Sequence, residues 1–381
     1  MFRFKTIISI LDQYQTKMRK NKLKIIATII VALSISFSQF AIAQKTIFRD
    51  ASNFYLYGKA FNNPQQFHRV DTAAYSDLPA AVKRLLTHSA GLAITFKTNS
   101  KSISAKWCVT NSKALNNLTP IAQKGLDLYI KRDGKWQFAG VGRPSDVCSQ
   151  FTLVNNMDGT EKECMLFLPL YDELKNLEIG TNEGSTISSL PNPFRHKIAI
   201  YGSSIVHGAS AGRPGMAYPA ILSRKTGLYF MNLGISGNAK MEKSAARMVG
   251  DIEADAFVLD CVPNPSPEQI KERAEHFIKT VREKHPKAPI ILIQSVIREQ
   301  GNFDLVVKDR VRKQNEEITA AFNRLKGSGM KDIYLLTADG LLGEDHDATT
   351  DGVHPNDLGF YRMAEQLAPQ ITKILAAYGI K

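Results

Sequence analysis

The sequence predicts a two-part α/β protein, with an all-β sandwich or jelly roll ahead of a parallel sheet covered by helices on both faces. Two observations carry this. From about Gln44 to Ile187 apolar residues recur in short stretches, partly or strictly alternating, with frequent turn signals, the pattern of half-buried strands. Beyond residue 195 continuous apolar runs alternate with helical stretches, the pattern of βα units that build a parallel sheet. Between them Asn182 to Phe194 is rich in Ser, Gly, Pro and Asn and reads as a linker. Domains are therefore expected at 44–187 and 195–381, and 381 residues suffice for two domains of roughly 100–200 residues each.

The N-terminus reads as a targeting segment. Arg19, Lys20, Lys22 and Lys24 precede an apolar run from Ile25 to Phe37, and Ala41-Ile42-Ala43 supplies the small residues that a signal peptidase reads. A signal peptide over 1–43, cleaved before Gln44, is expected, with Met18 as an alternative start. The other reading is an uncleaved anchor. Ser34, Ser36, Ser38 and Gln39 interrupt the run and make it short for a spanning helix, so a periplasmic or extracellular protein without stable membrane insertion is expected. The net charge is +13, but 1–43 holds seven Lys/Arg and one acid, so 42 basic and 35 acidic residues remain, net +7. These positives are scattered, which argues against nucleic acid as a partner. A mildly basic surface suits acidic polysaccharides or an anionic cell surface.

In the first half, residues 92–96, 102–107 and 126–130 read as strands. Arg132-Asp133-Gly134-Lys135 and Met157-Asp158-Gly159-Thr160 read as hairpin turns. Cys108, Cys148, Cys164 and Cys261 show no C-x-x-C spacing, so no zinc or redox motif is expected. An exported protein could form one or two disulfides, which the sequence does not pair; a hairpin at Asp158-Gly159 would set Cys164 opposite the region of Val154 rather than Cys148, and buried free thiols are the expectation. Trp107 and Trp136 are read as core residues before sugar-stacking ones. In the second half, strands are expected at 197–201, 229–233, 256–260, 290–293 and 333–336, with helices at 218–226, 240–249, 267–284, 308–326 and 357–377.

In such a sheet functional residues gather beyond the carboxyl ends of the strands. Ser204 follows the first strand, Gly237 the second and Asn264 the third, while Asp351 and His354 follow the last. A serine hydroxyl becomes nucleophilic when a base within hydrogen-bond reach takes its proton. Ser204 has that chemistry, His354 would be the base, and Asp351 would hold its tautomer and stabilise the imidazolium. The N–H groups of Ser204 and Gly237 and the amide of Asn264 could bind an oxyanion. His207 is expected at the surface. Asp345-His346-Asp347 reads as a solvated loop rather than a metal site, and Arg213 as either a substrate contact or a structural ion pair.

Gly202-Ser203-Ser204-Ile205, Asn232-Leu233-Gly234-Ile235-Ser236-Gly237, Asn264 and Asp351-x-x-His354 together resemble the four blocks of the SGNH/GDSL hydrolase superfamily. Gly125-Leu126-Asp127-Leu128-Tyr129 resembles the "GxDLY" region preceding that domain in one bacterial branch. His88-Ser89-Ala90-Gly91 and the segment from Arg213 to Pro219 are similar to the same branch. The resemblance implies a flavodoxin-like three-layer hydrolase domain after a jelly-roll-like β domain, and ester hydrolysis without metal or cofactor. It also implies Ser204 as nucleophile, Gly237 and Asn264 in the oxyanion hole, and Asp351 with His354 completing the triad. The chain departs from the pattern at Ser203, where Asp is usual, and at Val262-Pro263-Asn264-Pro265, where Gly-x-Asn-Asp is usual. The expected activity is exported serine esterase, removing O-acetyl groups from carbohydrates. A lipase-like or phospholipid acylhydrolase and a catalytically inactive glycan-binding protein are the alternatives.

Overall fold

A computed structural model describes residues 12–24, 45–62 and 64–381. Residues 12–24 form an exposed helix, α1; the apolar run and cleavage sequence expected at 25–43 lie outside the described residues. Among the described residues no helix is long and apolar enough to cross a membrane.

Thr46–Lys381 form a second unit. It begins with β1 (Thr46–Asp50), β2 (Tyr55–Tyr57), α2 (Ala80–Leu86), β3 (Ala93–Thr98), β4 (Ile103–Val109), α3 (Pro120–Lys124), β5 (Leu126–Arg132), β6 (Lys135–Gly142), β7 (Cys148–Val154), β8 (Lys162–Phe167), β9 (Leu174–Asn182) and β10 (Ile187–Ser189). These strands make two antiparallel sheets. One has the order β1-β9-β4-β7; the other runs β10-β3-β8-β5-β6, with β2 also paired to β3. Side-chain alternation along the second sheet explains its place. Ile94, Phe96, Leu128, Cys164 and Leu166 face the first sheet across a shared core with Trp107 and Ile179. Ala93, Tyr129, Met165 and Phe167 point the other way, into the core of the α/β half. Both faces are thus buried. Asp127, the polar member of the alternating 126–130 stretch, is fully buried instead of facing water.

Two expectations in this half are corrected. Arg132↔Lys135 is a tight hairpin, with Asp133 and Gly134 both at positive φ, as its sequence predicts. Asp158-Gly159 does not close a hairpin, because β7 pairs with β4 whereas β8 pairs with β3 and β5. The Asp158 carboxylate turns the chain locally by accepting from the Thr160 N–H, while the chain crosses between sheets. The cysteines are not all free thiols either. Cys108 and Cys148 sit directly opposite each other on β4 and β7 and form a disulfide. Cys164 and Cys261 are buried and unpaired. The linker also holds a strand, since β10 adds to the free edge of β3.

The second half runs β11 (Arg195–Gly202), α4 (Ser204–His207), α5 (Tyr218–Thr226), β12 (Leu228–Gly234), α6 (Lys243–Gly250), β13 (Ala256–Asp260), α7 (Pro267–Lys284), β14 (Ile290–Ile293), α8 (Leu305–Gly327), β15 (Ile333–Leu336) and α9 (Asp357–Ala376). All five strands are parallel, in the order β12-β11-β13-β14-β15. Alternate residues serve opposite faces. Tyr201, Phe257, Leu259 and Leu292 pack on α6, α7 and α8, while Ile198, Ile200, Val258 and Ile291 pack on α5 and α9. The result is the expected three-layer α/β architecture behind a β sandwich. Local signals agree with it: α7 begins at a Ser266/Gln269 capping box with Pro267 in its first turn.

Candidate active site

The parallel register aligns Gly202 with Gly234 on one side and with Asp260 on the other. Three loops therefore leave the sheet at one level. Just past the strands, Ile235 N–H donates to Gly202 O at 2.8 Å and Ser203 N–H to Asp260 O at 3.1 Å, which fixes how the loops start. Gly202 is required by close approach. A Cβ there would lie 2.2 Å from Val206 Cγ2 and 2.5 Å from Asp260 O, so only glycine lets β11 turn straight into α4.

The two adjacent serines have different surroundings. Ser203 is fully buried and its hydroxyl caps α4 by accepting from the Ile205 N–H. Ser204 is 8% exposed and its Oγ lies 2.9 Å from His354 Nε2. On the far side of the ring, His354 Nδ1 is 2.8 Å from Asp351 Oδ2. The D-x-x-H spacing has a local cause. Asp351 Oδ1 accepts from the N–H groups of Val353 and His354, at 3.0 and 2.8 Å, so the aspartate folds the loop that carries its own histidine. Gly352, at φ +79°, supplies the left-handed step. Burial would raise the Asp351 carboxyl. The donors from His354 and from the Asn117 amide outweigh it and hold the group down at about 2.

Neither the Ser204 N–H nor the Gly237 N–H has an acceptor among the described residues. Gly237 adopts φ +69° with open space where a Cβ would be. Asn264 Oδ1 accepts from the Ala239 N–H at 3.1 Å, which orients the amide and leaves its nitrogen free to donate elsewhere. Unengaged donors and a histidine-bonded serine are the groups an acyl-transfer site calls for, where charge develops on a carbonyl oxygen.

Other candidates are employed elsewhere. Arg213 donates to the buried Asp127 Oδ2 at 2.7 Å and to Tyr129 OH, and its guanidinium lies 4.2 Å over the Phe138 ring. It binds the segment before α5 to β5 rather than standing free for a ligand. His207 is fully buried, not exposed. It stacks on Tyr171 at 4.0 Å and its Nε2 is 2.7 Å from Leu170 O. Burial pushes its pKa well below the ordinary value, so it is neutral, and its Nε2 is committed to Leu170 O. In the 345–347 loop, Asp345 pairs with Arg362 and His346 with Glu299.

Sequence reasoning missed two groups. Asn117, from the loop between β4 and α3, places Nδ2 3.1 Å from Asp351 Oδ2. Asp260 is buried beneath the loops, accepts from Tyr218 OH at 2.7 Å, and is pushed by burial up to about 7. Asn117 carries no local signal, being 234 residues from its partner. Asp260 was visible only as the end of an apolar strand.

Both halves of the chain match known protein families. Residues 195–372 match the GDSL-like Lipase/Acylhydrolase family, and 46–187 match the GxDLY N-terminus of SGNH-hydrolase-type esterases. A GDSL-like lipase from Bacteroides ovatus has a solved structure 55% identical in sequence, with a TM-score of 0.86, covering 87% of this chain and 98% of its own. A salicylyl-acyltransferase from a tetracycline biosynthetic pathway is 19% identical with a TM-score of 0.72, covering 90% and 100%. An acetyl xylan esterase from Butyrivibrio proteoclasticus is 12% identical with a TM-score of 0.55, covering 87% and 99%. The last two are likenesses of fold. No curated protein matches the chain. With both halves matched and a relative that it spans almost end to end, the chain belongs to the GDSL-like lipase/acylhydrolase family of SGNH-type esterases.

Proposed function

We propose that this esterase is exported and removes O-acetyl groups from carbohydrates with Ser204, His354 and Asp351 as its triad. The observation that carries the triad is the continuous hydrogen-bond chain from Ser204 Oγ through both ring nitrogens of His354 to Asp351. An ionised aspartate accepts only, so it requires Nδ1–H and leaves Nε2 bare to take the serine proton. Ser204 Oγ attacks the ester carbonyl as its proton passes to Nε2. The oxyanion is met by the N–H groups of Ser204 and Gly237 and by the Asn264 amide. Collapse breaks the C–O bond, and the imidazolium returns the proton to the departing alcohol. Water activated by the same nitrogen then hydrolyses the acyl-enzyme.

The carbohydrate substrate is supported by the fold shared with an acetyl xylan esterase and by the leader-like N-terminus. Acetate release from a panel of acetylated glycans tests it. Ser204→Ala should lower turnover by roughly 10⁴–10⁶-fold without loss of folding. If Ser203→Ala has that effect and Ser204→Ala does not, the assignment of the nucleophile fails.

One observation favours a second reading, hydrolysis of longer acyl esters. The segment bonded to the Asp351 loop through Gln300 N–H to Gly352 O leads into Phe303, 94% exposed, with Leu305 and Val306 also exposed. Beside it lies a groove of about 570 Å³ lined in part by Ile297, Val307 and Val311. Nitrophenyl esters of increasing chain length separate the readings: a maximum at long chains sinks the acetylesterase.

A further inference from the structure

One segment of the β half reaches the Asp351–His354 pair. Residues 110–119 leave β4 and cross to the α/β half, held along their length by side-chain hydrogen bonds. Asp172, fully buried, accepts from the Thr110 hydroxyl and, at 2.8 Å, from the Ser112 N–H. Gln123, also buried, accepts from the Leu115 N–H at 3.1 Å and donates to Lys113 O at 2.7 Å. Thr119 caps α3 and donates to Gly212 O at 2.7 Å. Ordering this many residues costs conformational entropy, and what the ordered segment delivers is Asn117. Its Nδ2 lies 3.1 Å from Asp351 Oδ2 and 3.3 Å from His354 Nδ1.

Chemistry selects between these two neighbours. The amide oxygen could not face Asp351, since two acceptors would meet, so the nitrogen must. With Asp351 ionised, His354 Nδ1 bears a proton and cannot accept, and the Asn117 N–H therefore goes to Oδ2. The carboxylate then has four donors: two loop N–H groups on Oδ1, and the imidazole and Asn117 on Oδ2. We propose that Asn117 is a positioning residue of the triad, a donor supplied by the β half that locks the Asp351 carboxylate in the plane and orientation His354 requires. The proposal rests on the esterase reading for its consequence in turnover, and on geometry alone for the contact itself. Around the imidazole stand Asp351 from its own loop, Ser204 from the sheet edge and Asn117 from the β half; among these three Asp351 bears the charge.

The test is Asn117→Leu, which keeps the volume and removes the donor, beside Asn117→Gln, which keeps a donor. In Asn117→Leu the carboxylate keeps one donor fewer and holds the imidazolium more strongly. The His354 ring titration, followed by NMR in the full chain, should move up by ~0.5–1 pH unit. The kcat for a short nitrophenyl ester should fall about 10-fold or more at neutral pH, with KM changed less than about twofold. Asn117→Gln should recover part of both. An unmoved titration, or an Asn117→Leu enzyme as fast as the parent, overturns the proposal. A faster variant overturns it too, because Asn117 would then favour the tautomer that cannot accept the serine proton. Ser204→Ala is measured alongside. If it retains turnover the esterase mechanism falls, while the NMR titration still decides the Asn117 contact. If it is inactive and the titration is unmoved, only the role of Asn117 falls.

Discussion

The β half touches the α/β half in two contrasting ways. One is a buried joint. Arg69, fully buried, gives its guanidinium to four backbone carbonyls: His88 O and Leu85 O on its own side, Asn232 O and Gly234 O at the end of β12. Burial pulls its pKa down to about 9, so at neutral pH it is still a cation, solvated by peptide dipoles in place of a carboxylate. Asp127 is the complementary half of the joint, a buried anion held by Arg213 and the Gly215 N–H. The other contact is a reach. Asn117 is only partly buried and touches two side chains, Asp351 and His354, of one loop. The joint carries many donors and acceptors that water cannot replace, whereas the reach carries one amide. Damage to the first should therefore appear as instability, and damage near the second as lost turnover with the fold intact.

Asp351→Asn should give the largest effect on the catalytic side. By removing the charge that selects the histidine tautomer, it should lower kcat by roughly 10³–10⁴, with the fold retained and the melting temperature at neutral pH lowered by the lost carboxylate contacts. Its pH dependence has a definite sign. The folded-state carboxyl, at about 2, lies below the ordinary value of ~3.9. Its contribution to stability is complete above about pH 4 and fades as pH falls toward 2. The difference in melting temperature between parent and Asp351→Asn should be constant from pH 5 to 8 and shrink only in acid. A difference that grows between pH 5 and 8 would mean the carboxylate is not held as described.

Arg69→Met should be the largest effect on the joint, about 3–5 kcal/mol at ~1–3 kcal/mol per buried acceptor left unsatisfied, since it takes the donor from His88 O, Asn232 O and Gly234 O while Leu85 O keeps the His88 N–H, read by denaturant unfolding. If Arg69→Met instead unfolds like the parent and loses only activity, the contrast between joint and reach is wrong. Replacing both Cys108 and Cys148 by serine should cost about 2–4 kcal/mol and leave kcat nearly unchanged, because the bond ties β4 to β7 within one sheet. Gly237→Ala is the smallest and most diagnostic. A left-handed residue costs about 1 kcal/mol with a Cβ, yet that Cβ meets no protein atom. A loss in kcat/KM well beyond that cost would mean the Cβ collides with substrate.

Legibility divided along the same line. The parallel half could be read because each element is determined locally: continuous apolar runs for β11 to β15, the Ser266 cap for α7, and glycine where β11 meets α4. The Asp351–His354 pair was legible because its geometry is made within four residues by the aspartate's bonds to its own loop. What escaped depends on partners distant in sequence. An Asp-Gly turn announces a change of direction, not which sheet receives the next strand. Cys108 and Cys148 meet only through the β4–β7 register, 40 residues apart. His207 looked exposed because its burial comes from Leu170 and Tyr171, in the other half, and Asn117 is silent until the loop is folded.

The carbonyl cradle of Arg69 also sets an order in time. Its acceptors Asn232 and Gly234 lie 163 and 165 residues further along the chain. At ribosomal speeds of ~5–20 residues per second these acceptors are synthesised on the order of ten to thirty seconds after Arg69. Until then it stays hydrated, and the β half it belongs to is held short of its final packing. The N-terminal half of this esterase, though made first, cannot complete its packing until β12 is in place, and a chain truncated before β12 would be left with an arginine that has nowhere to be buried.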